Sequence, residues 1–360
     1  MVRLGAMGDI LHALPAVTAL RQAHPRWVID WVVEPRWRAL LSAESGNGAR
    51  APLAQPLVDR IHLAPTKEWR KAPFSLRTLH EIQMLRRELK GGCYDVVIDL
   101  QGALRSAIVG AFAGGRRRIG EMHPREQAAT WFFTDRVATT LDHVIEQDVE
   151  LASAIAGDLL TPIRPLLPTD PSAEAWADSI LPPGAAPSIL INPGAGWGAK
   201  RWPVERYAAV AKGLIADGFR VLVNTGPGEQ PLAEAILQGV GEGSTAVTAL
   251  NCNLAHLIAA TRRVAMVIAG DTGPLHLGCA LGRPVVGIYG PTDPSRNGPF
   301  GATFRVLRSP ESRRDHTRHA APEAGLLTIQ TADVLRAARE LLYSKTASQT
   351  AAPGASEIRL

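Results

Sequence analysis

The sequence predicts two α/β domains, each a doubly wound parallel sheet. Three observations point there. Strand-like and helix-like runs alternate through the first half of the chain, proline becomes dense over 161–187, and a second alternating series follows. The 360 residues suffice for two domains at about 100–200 residues each. An apolar content of 46% with a mean hydropathy of +0.01 describes a globular protein with ample core.

In chain order, the first element is "RLGAMGDILHALPAV" from Arg3, a glycine turn running into a helix. Such turns usually hold phosphate on the free N–H groups of the first helical turn. This one carries Asp9, whose carboxyl ionises near a pKa of about 3.9 and repels phosphate at neutral pH. Asp9 is either a helix cap or the working group of a site that takes something else. Buried strands follow in "VIDWVVE" (28–34) and "YDVVIDLQG" (94–102), with a basic-faced amphipathic helix over 76–90 between them. "TPIRPLLPTDP" and "LPPGAAP" bracket a hinge. Beyond it, "SILINPG", "RYAAVAKGLIADG", "RVLVNTG", "LAHLIAATRR", "VAMVIAGDTG" and "PVVGIYGP" build a second sheet. The expected domains are 1–165 and 187–343, with a hinge at 166–186 and a polar, disordered tail at 344–360. Ligands of such sheets bind beyond the carboxyl ends of the strands, so a cleft between two such ends is the expected site.

Phosphate is better served in the second half. Asp271 and Thr272 follow a buried strand, Gly273 lets a ligand approach the backbone, and Pro274 suits a first helical turn. The Thr272 and Gly273 N–H groups with the helix dipole make an anion site. Asp271 either belongs to it or only caps the helix, and His276 either reaches a phosphate or packs. "LINPGAGWGAKRWP" supplies the other side. Gly194, Gly196 and Ala199 match a loose G-x-G-x-x-A dinucleotide fingerprint, but "KRWP" interrupts the helix that should start there. The next strand ends in Asn224 and Thr225 rather than a ribose-binding acid, which argues against a dehydrogenase. Lys200, read as unpaired, suits a diphosphate leaving group, and Glu229 either accepts from ribose hydroxyls or is a surface carboxylate. Neither a P-loop nor a D-x-D occurs, and His316 and His319 lie in an Arg-rich loop as solvated side chains. No metal and no cofactor are expected, the cation role falling to Lys200.

Net charge is +5, and residues 60–125 hold thirteen Lys or Arg against six Asp or Glu. That excess is either a solvated face or a surface for an acidic partner. An aromatic content of 5% and the lack of a base-stacking motif disfavour nucleic acid. Cys93, Cys252 and Cys279 are far apart and suit a reducing compartment. No apolar run reaches the roughly 18 residues of a membrane span, and no basic-then-apolar leader is visible, so the cytoplasm is the expected location.

Taken together, "RLGAMGDILHALPA", "YDVVIDLQGALRSA", "NPGAGWGAKRWP" and "GDTGPLHLGCALGRPVVGIYGPTDP" resemble glycosyltransferase family 9, the ADP-heptose:lipopolysaccharide heptosyltransferases of Gram-negative bacteria. The resemblance runs to residue 343. "EWRKAPFS" and "RRRIGEMHPREQA" are most similar to the heptosyltransferase I branch, which adds the first heptose to Kdo of Kdo-lipid A. Enzymes of the II and III type, and a non-catalytic nucleotide-sugar-binding protein, are the rivals. The resemblance implies a GT-B fold, ADP-L-glycero-β-D-manno-heptose as donor, transfer with inversion, and an acceptor held at the inner face of the cytoplasmic membrane. It makes Asp9 the base and places Lys200, Asp271, Thr272 and Gly273 on the donor diphosphate, with Glu229 on the ribose. It turns Arg70, Lys71 and Arg125, joined by Arg3, toward the acidic acceptor. Two departures stand out: only Met1 and Val2 precede Arg3, so either the first strand is truncated or the start site is misassigned, and Gln147 stands where Arg is expected from close relatives; the segment 308–325 matches no motif.

Overall fold

The structure, a computed structural model, describes residues 1–43, 57–241, 244–315, 317 and 319–350, the last seven by backbone alone. The chain divides into two compact units. One comprises Met1–Ile180, Cys252–Ala260 and Ser295–Asn297; the other comprises Leu181–Asn251, Thr261–Pro294 and the chain from Gly298 onward. The division at Ile180 falls inside the proline-rich stretch, but that stretch is not simply a linker. Its helix Pro171–Ile180 belongs to the first unit, where Ala173 and Ala177 pack against Ala39, Ala255 and Ala259.

The first unit carries short parallel strands: β1 (Asp30–Val33), β2 (Arg60–Leu63), β3 (Val96–Ile98), β4 (Arg117–Glu121) and β5 (Asp135–Val137). Strands β1 and β3 are shorter than the apolar runs at 28–34 and 94–102 that announce them. The order is β2-β1 and β3-β4-β5, and the two pieces are joined through Val2, which bridges in parallel to both Val32 and Asp99. The first strand is thus reduced to that bridge, held by Val2 N–H donating to the Ile98 carbonyl (2.8 Å) and Leu100 N–H to the Val2 carbonyl (3.1 Å). Counting Val2 as the first position, the winding is 3-2-1-4-5-6. Val2, Leu4, Val32, Leu85, Leu89 and Val97 are among its core residues. Trp31 is fully buried and satisfies its indole N–H on the Arg3 carbonyl (3.1 Å), which fixes the chain where it leaves the sheet.

The second unit holds one six-stranded parallel sheet: β6 (Ser188–Asn192), β7 (Arg220–Asn224), β8 (Val247–Leu250), β9 (Met266–Gly270), β10 (Val285–Tyr289) and β11 (Phe304–Arg308). The order β11-β10-β9-β6-β7-β8 is the same 3-2-1-4-5-6 winding. Strands β6, β9 and β10 are buried at every position, as a sheet covered on both faces requires. The last helix, Thr331–Thr350, packs Val334, Ala338 and Leu341 into this core. It carries the backbone through Thr350, so 344–350 is helical where a disordered tail was expected; residues 351–360 and His316 lie outside the described residues.

Candidate active site

In a doubly wound sheet, a crevice opens where the strand order reverses, beyond the carboxyl ends of the two neighbouring strands. In the second unit those strands are β6 and β9, paired from Ile189–Met266 to Asn192–Ala269. The loop after β6 is the "PGAGWGAK" stretch, and the turn after β9 is Asp271–Thr272. Adjacent strands bring together residues 71 positions apart. Lys200 Nζ donates to Asp271 Oδ2 at 2.5 Å, and His276 Nε2 lies 3.2 Å from Asp271 Oδ1. This corrects the reading of Lys200 as unpaired.

Asp271 is not the helix cap either. Thr272 is the N-cap of the helix Gly273–Ala280, it makes no side-chain cap bond, and its hydroxyl turns back to the Gly270 carbonyl (3.2 Å). Burial would raise the Asp271 pKa, but the His276 hydrogen bond and the Lys200 charge outweigh it and hold the carboxyl well below the usual range. Lys200 also lies 5.2 Å over the Trp197 ring, a contact that the motif reading missed.

Glu229 follows β7. Its Oε2 accepts from Gly226 N–H (2.9 Å), and its Oε1 is 3.8 Å from Arg201. The same carboxylate fills the space beside Gly194, where a β-carbon would collide with it. Gly196 is exposed with open space around its α-carbon, which leaves the backbone approachable. Asn224, in place of a ribose acid, donates to Asn192 (2.6 Å) and ties the ends of β6 and β7 together. The unmatched segment 308–325 has a place here too. His319 O accepts from Ala199 N–H (3.0 Å), and Glu323 N–H donates to Ala199 O (3.1 Å), so the segment braces the Lys200 loop.

In the first unit the corresponding reversal lies between the Val2 segment and β3, and Asp9 stands at the third position of the helix Met7–Ala23. The preceding Gly5 has φ +150°, and a β-carbon there would run into the Trp37 indole, so the turn requires glycine. Asp9 Oδ2 accepts from the N-cap residue, Ala6 N–H (2.8 Å), half of a capping box. Its other oxygen lies 4.0 Å from Arg3, and the side chain stays 43% exposed. A cap and an accessible carboxylate are therefore the same residue.

Arg3 is buried beneath Asp9 rather than facing outward with the other basic residues. Its Nε donates to the Asp9 carbonyl (3.1 Å) and a terminal nitrogen lies 3.9 Å from Asp148 Oδ1. Asp148, which sequence reasoning missed, is fully buried with Oδ2 unpartnered, and burial pushes its pKa up to about 7 against the pull of Arg3. Asp99, at the end of β3, takes N–H donors from Gln101 and Gly102 and the Ser106 hydroxyl, yet burial still raises it to about 6.

The predicted basic residues are only partly available. Arg70 and Arg125 are exposed, whereas Lys71 is engaged by Glu68 at 2.8 Å. Arg125 belongs to a loop folded over Gly102, just past β3. Lys67, missed before, has its pKa lowered by partial burial and by Arg36, Arg105 and Arg70, with Glu34 opposing. Four cations therefore gather at the carboxyl end of this sheet, from three helical segments, Pro35–Leu40, Thr66–Lys71 and Leu104–Phe112. Gln147 spends its amide on the Leu141 carbonyl (2.8 Å).

Comparison with known proteins gives this arrangement a class. Over 86% of this chain and 93% of its own length, lipopolysaccharide heptosyltransferase 1 of Escherichia coli K12 is 30% identical. The corresponding Pseudomonas aeruginosa enzyme is 28% identical over 84% of the chain and 81% of its own length. The structure of E. coli heptosyltransferase WaaC with ADP superposes with a TM-score of 0.75 at 27% identity, covering 94% of this chain and 98% of that one. The protein is a glycosyltransferase of the GT-B fold class. The chain belongs to glycosyltransferase family 9 (heptosyltransferase), whose sequence model matches residues 82–326. Among the described residues, no helix is long and apolar enough to cross a membrane.

Proposed function

We propose that the protein transfers L-glycero-D-manno-heptose from ADP-heptose to Kdo of the lipopolysaccharide inner core, with inversion and with Asp9 as general base. The observation that carries this reading is the Asp9 carboxylate: fixed at a helix start, one oxygen spent on Ala6 N–H, the side chain still open to solvent. The second unit takes the donor and the first takes the acceptor. Asp9 accepts the proton of the acceptor hydroxyl as that oxygen bonds the anomeric carbon. The bond from that carbon to the diphosphate breaks on the opposite side, and ADP leaves with the electron pair. Proton abstraction by a placed base contributes about 10²–10⁴-fold.

The growing charge on the diphosphate meets Lys200 and the N–H groups of Thr272 and Gly273, with Gly196 leaving room and His276 behind Asp271. Each such donor is typically worth about 2.7–4 kcal/mol in a transition state. Asp271 serves this by holding Lys200 charged and aimed, and Glu229 takes the ribose. Arg70, Lys71 and Arg125, joined by Lys67, meet the acceptor's carboxylate and phosphates as charge-assisted donors. Arg3 acts through Asp9. Such an acceptor keeps the enzyme at the inner face of the cytoplasmic membrane.

Relatives bearing the heptosyltransferase 1 name range from 23% to 30% identity, against 26% and 23% for examples named 2 and 3, and the upper end of that range favours the first-heptose branch. The test is release of ADP from ADP-heptose with Kdo-lipid A or with the same acceptor already carrying one heptose. Turnover on the first alone is expected. Preference for the second would move the enzyme to the II or III type.

A further inference from the structure

The helix Leu76–Gly91 begins with apolar side chains that serve no core. Ser75 is its N-cap, with Oγ accepting from Thr78 N–H (3.1 Å), and the buried side of the helix is Thr78, Leu85 and Leu89. Phe74 and Leu79 occupy the two positions that commonly close on each other as a hydrophobic staple. Here they do not shield one another. Phe74 is 89% exposed, Leu79 50%, and Leu76, between them, 87%. Capping needs none of these three to be large and apolar. Three such side chains grouped at one helix end mark a binding surface rather than the scattered exposure every protein shows.

The charge around them says what they bind. Leu76 and Leu79 sit on the same side of the helix as Arg86, Arg87 and Lys90, which at 1.5 Å per residue begin about 15 Å further along the axis. Arg70 lies on the helix just before the tip. Arg70, Arg86 and Arg87 are exposed and make no ion pair among the described residues, while Lys71 and Arg77 are answered by Glu68 and Glu81. An apolar point with unanswered cations set back from it matches the layering of an anionic bilayer, hydrocarbon beneath phosphate. A groove, as a helical peptide partner would need, is not what this protruding end offers.

We propose that Phe74, Leu76 and Leu79 form a tip that inserts into an anionic lipid surface, with Arg70, Arg86 and Arg87 on the headgroup phosphates. The inference deepens the acceptor reading given above by locating the membrane contact, but its test uses neither donor nor acceptor, so the two fail separately. The full chain is sedimented with phosphatidylethanolamine vesicles containing about 30% phosphatidylglycerol and, in parallel, with pure phosphatidylcholine vesicles. Wild type should pellet with the anionic vesicles and be released by salt. Replacing Phe74, Leu76 and Leu79 by Ser together should lower that partition about ten-fold or more, with the melting temperature kept. Arg86→Glu with Arg87→Glu, at sites that carry no core contact, should lower it as well and flatten its salt dependence. Wild type that stays in the supernatant would overturn the proposal, as would either variant pelleting as wild type does.

Discussion

The two units wind their sheets in the same order and hold an aspartate beside the reversal of strand order, Asp9 in the first turn of the helix after the first strand and Asp271 in the turn after the fourth, yet they use it in opposite ways. Asp9 is 43% exposed, is bonded only to the turn it caps, and has its cation, Arg3, buried behind it. The side chain of Asp271 is 8% exposed, and both of its oxygens are taken, one by Lys200 and one by His276. Burial decides the difference. A buried carboxylate held by Lys200 on one oxygen and His276 on the other is a counterion that fixes them, shut away from a substrate by its burial. An exposed one with a free oxygen meets whatever arrives. The topology supplies the position, and the side chains around it choose whether the acid or its partner does the chemistry.

The comparison breaks most visibly at Lys200. Lys200→Ala should cost about 10²–10³-fold in turnover, because the leaving diphosphate loses its cation. EDTA should leave substantial activity, since Lys200 and the helix start carry that charge. Complete loss that added metal restores would reverse this assignment. Asp271→Asn sharpens the contrast through stability rather than rate. Removing one member of a buried ion pair typically costs about 3–5 kcal/mol, so its melting temperature should fall far more than that of Asp9→Asn, whose cap bond is worth about 1 kcal/mol.

A smaller effect is expected at the acceptor face. Arg125→Ala and Arg70→Ala should raise the acceptor KM and leave ADP-heptose binding nearly unchanged, with Lys71→Ala the mildest of the three because Glu68 already holds it. The smallest is a pH effect. Burial pushes the Asp148 carboxyl up to about 7 in the fold from 3.8. Unfolding therefore releases a proton between those values, and Asp148 makes stability fall as pH rises through that window. In Asp148→Asn, urea midpoints measured across about pH 4–7 should decline less steeply.

Much of this was legible in the sequence because it is local. The glycine turn before Asp9, the Asp271–Thr272–Gly273 turn and the loop holding Lys200 each announce a strand end meeting a helix, and each sits there. What the sequence hid is pairing at a distance. Nothing in "GWGAK" says that Lys200 faces Asp271, because only the β6–β9 neighbourhood brings them together. Arg3 looks like an exposed cation in its string and is buried, since Asp148, on the helix Val144–Ala156, reaches it from far along the chain. Arg36, Lys67 and Arg105 converge from three separate helical segments. Nor does the fingerprint around Gly194 show that the Glu229 carboxylate lies where a β-carbon on that glycine would stand.

The contrast between the two aspartates is tested most directly by Asp9→Asn, which keeps the shape of the side chain and removes its basicity. Single-turnover heptose transfer and the ADP-heptose Kd should be measured on the same preparation. Transfer is expected to fall by about a hundred-fold or more, with the donor Kd within a few-fold of wild type. Transfer at a near-normal rate would contradict the account and leave Asp9 as nothing more than the cap of its helix.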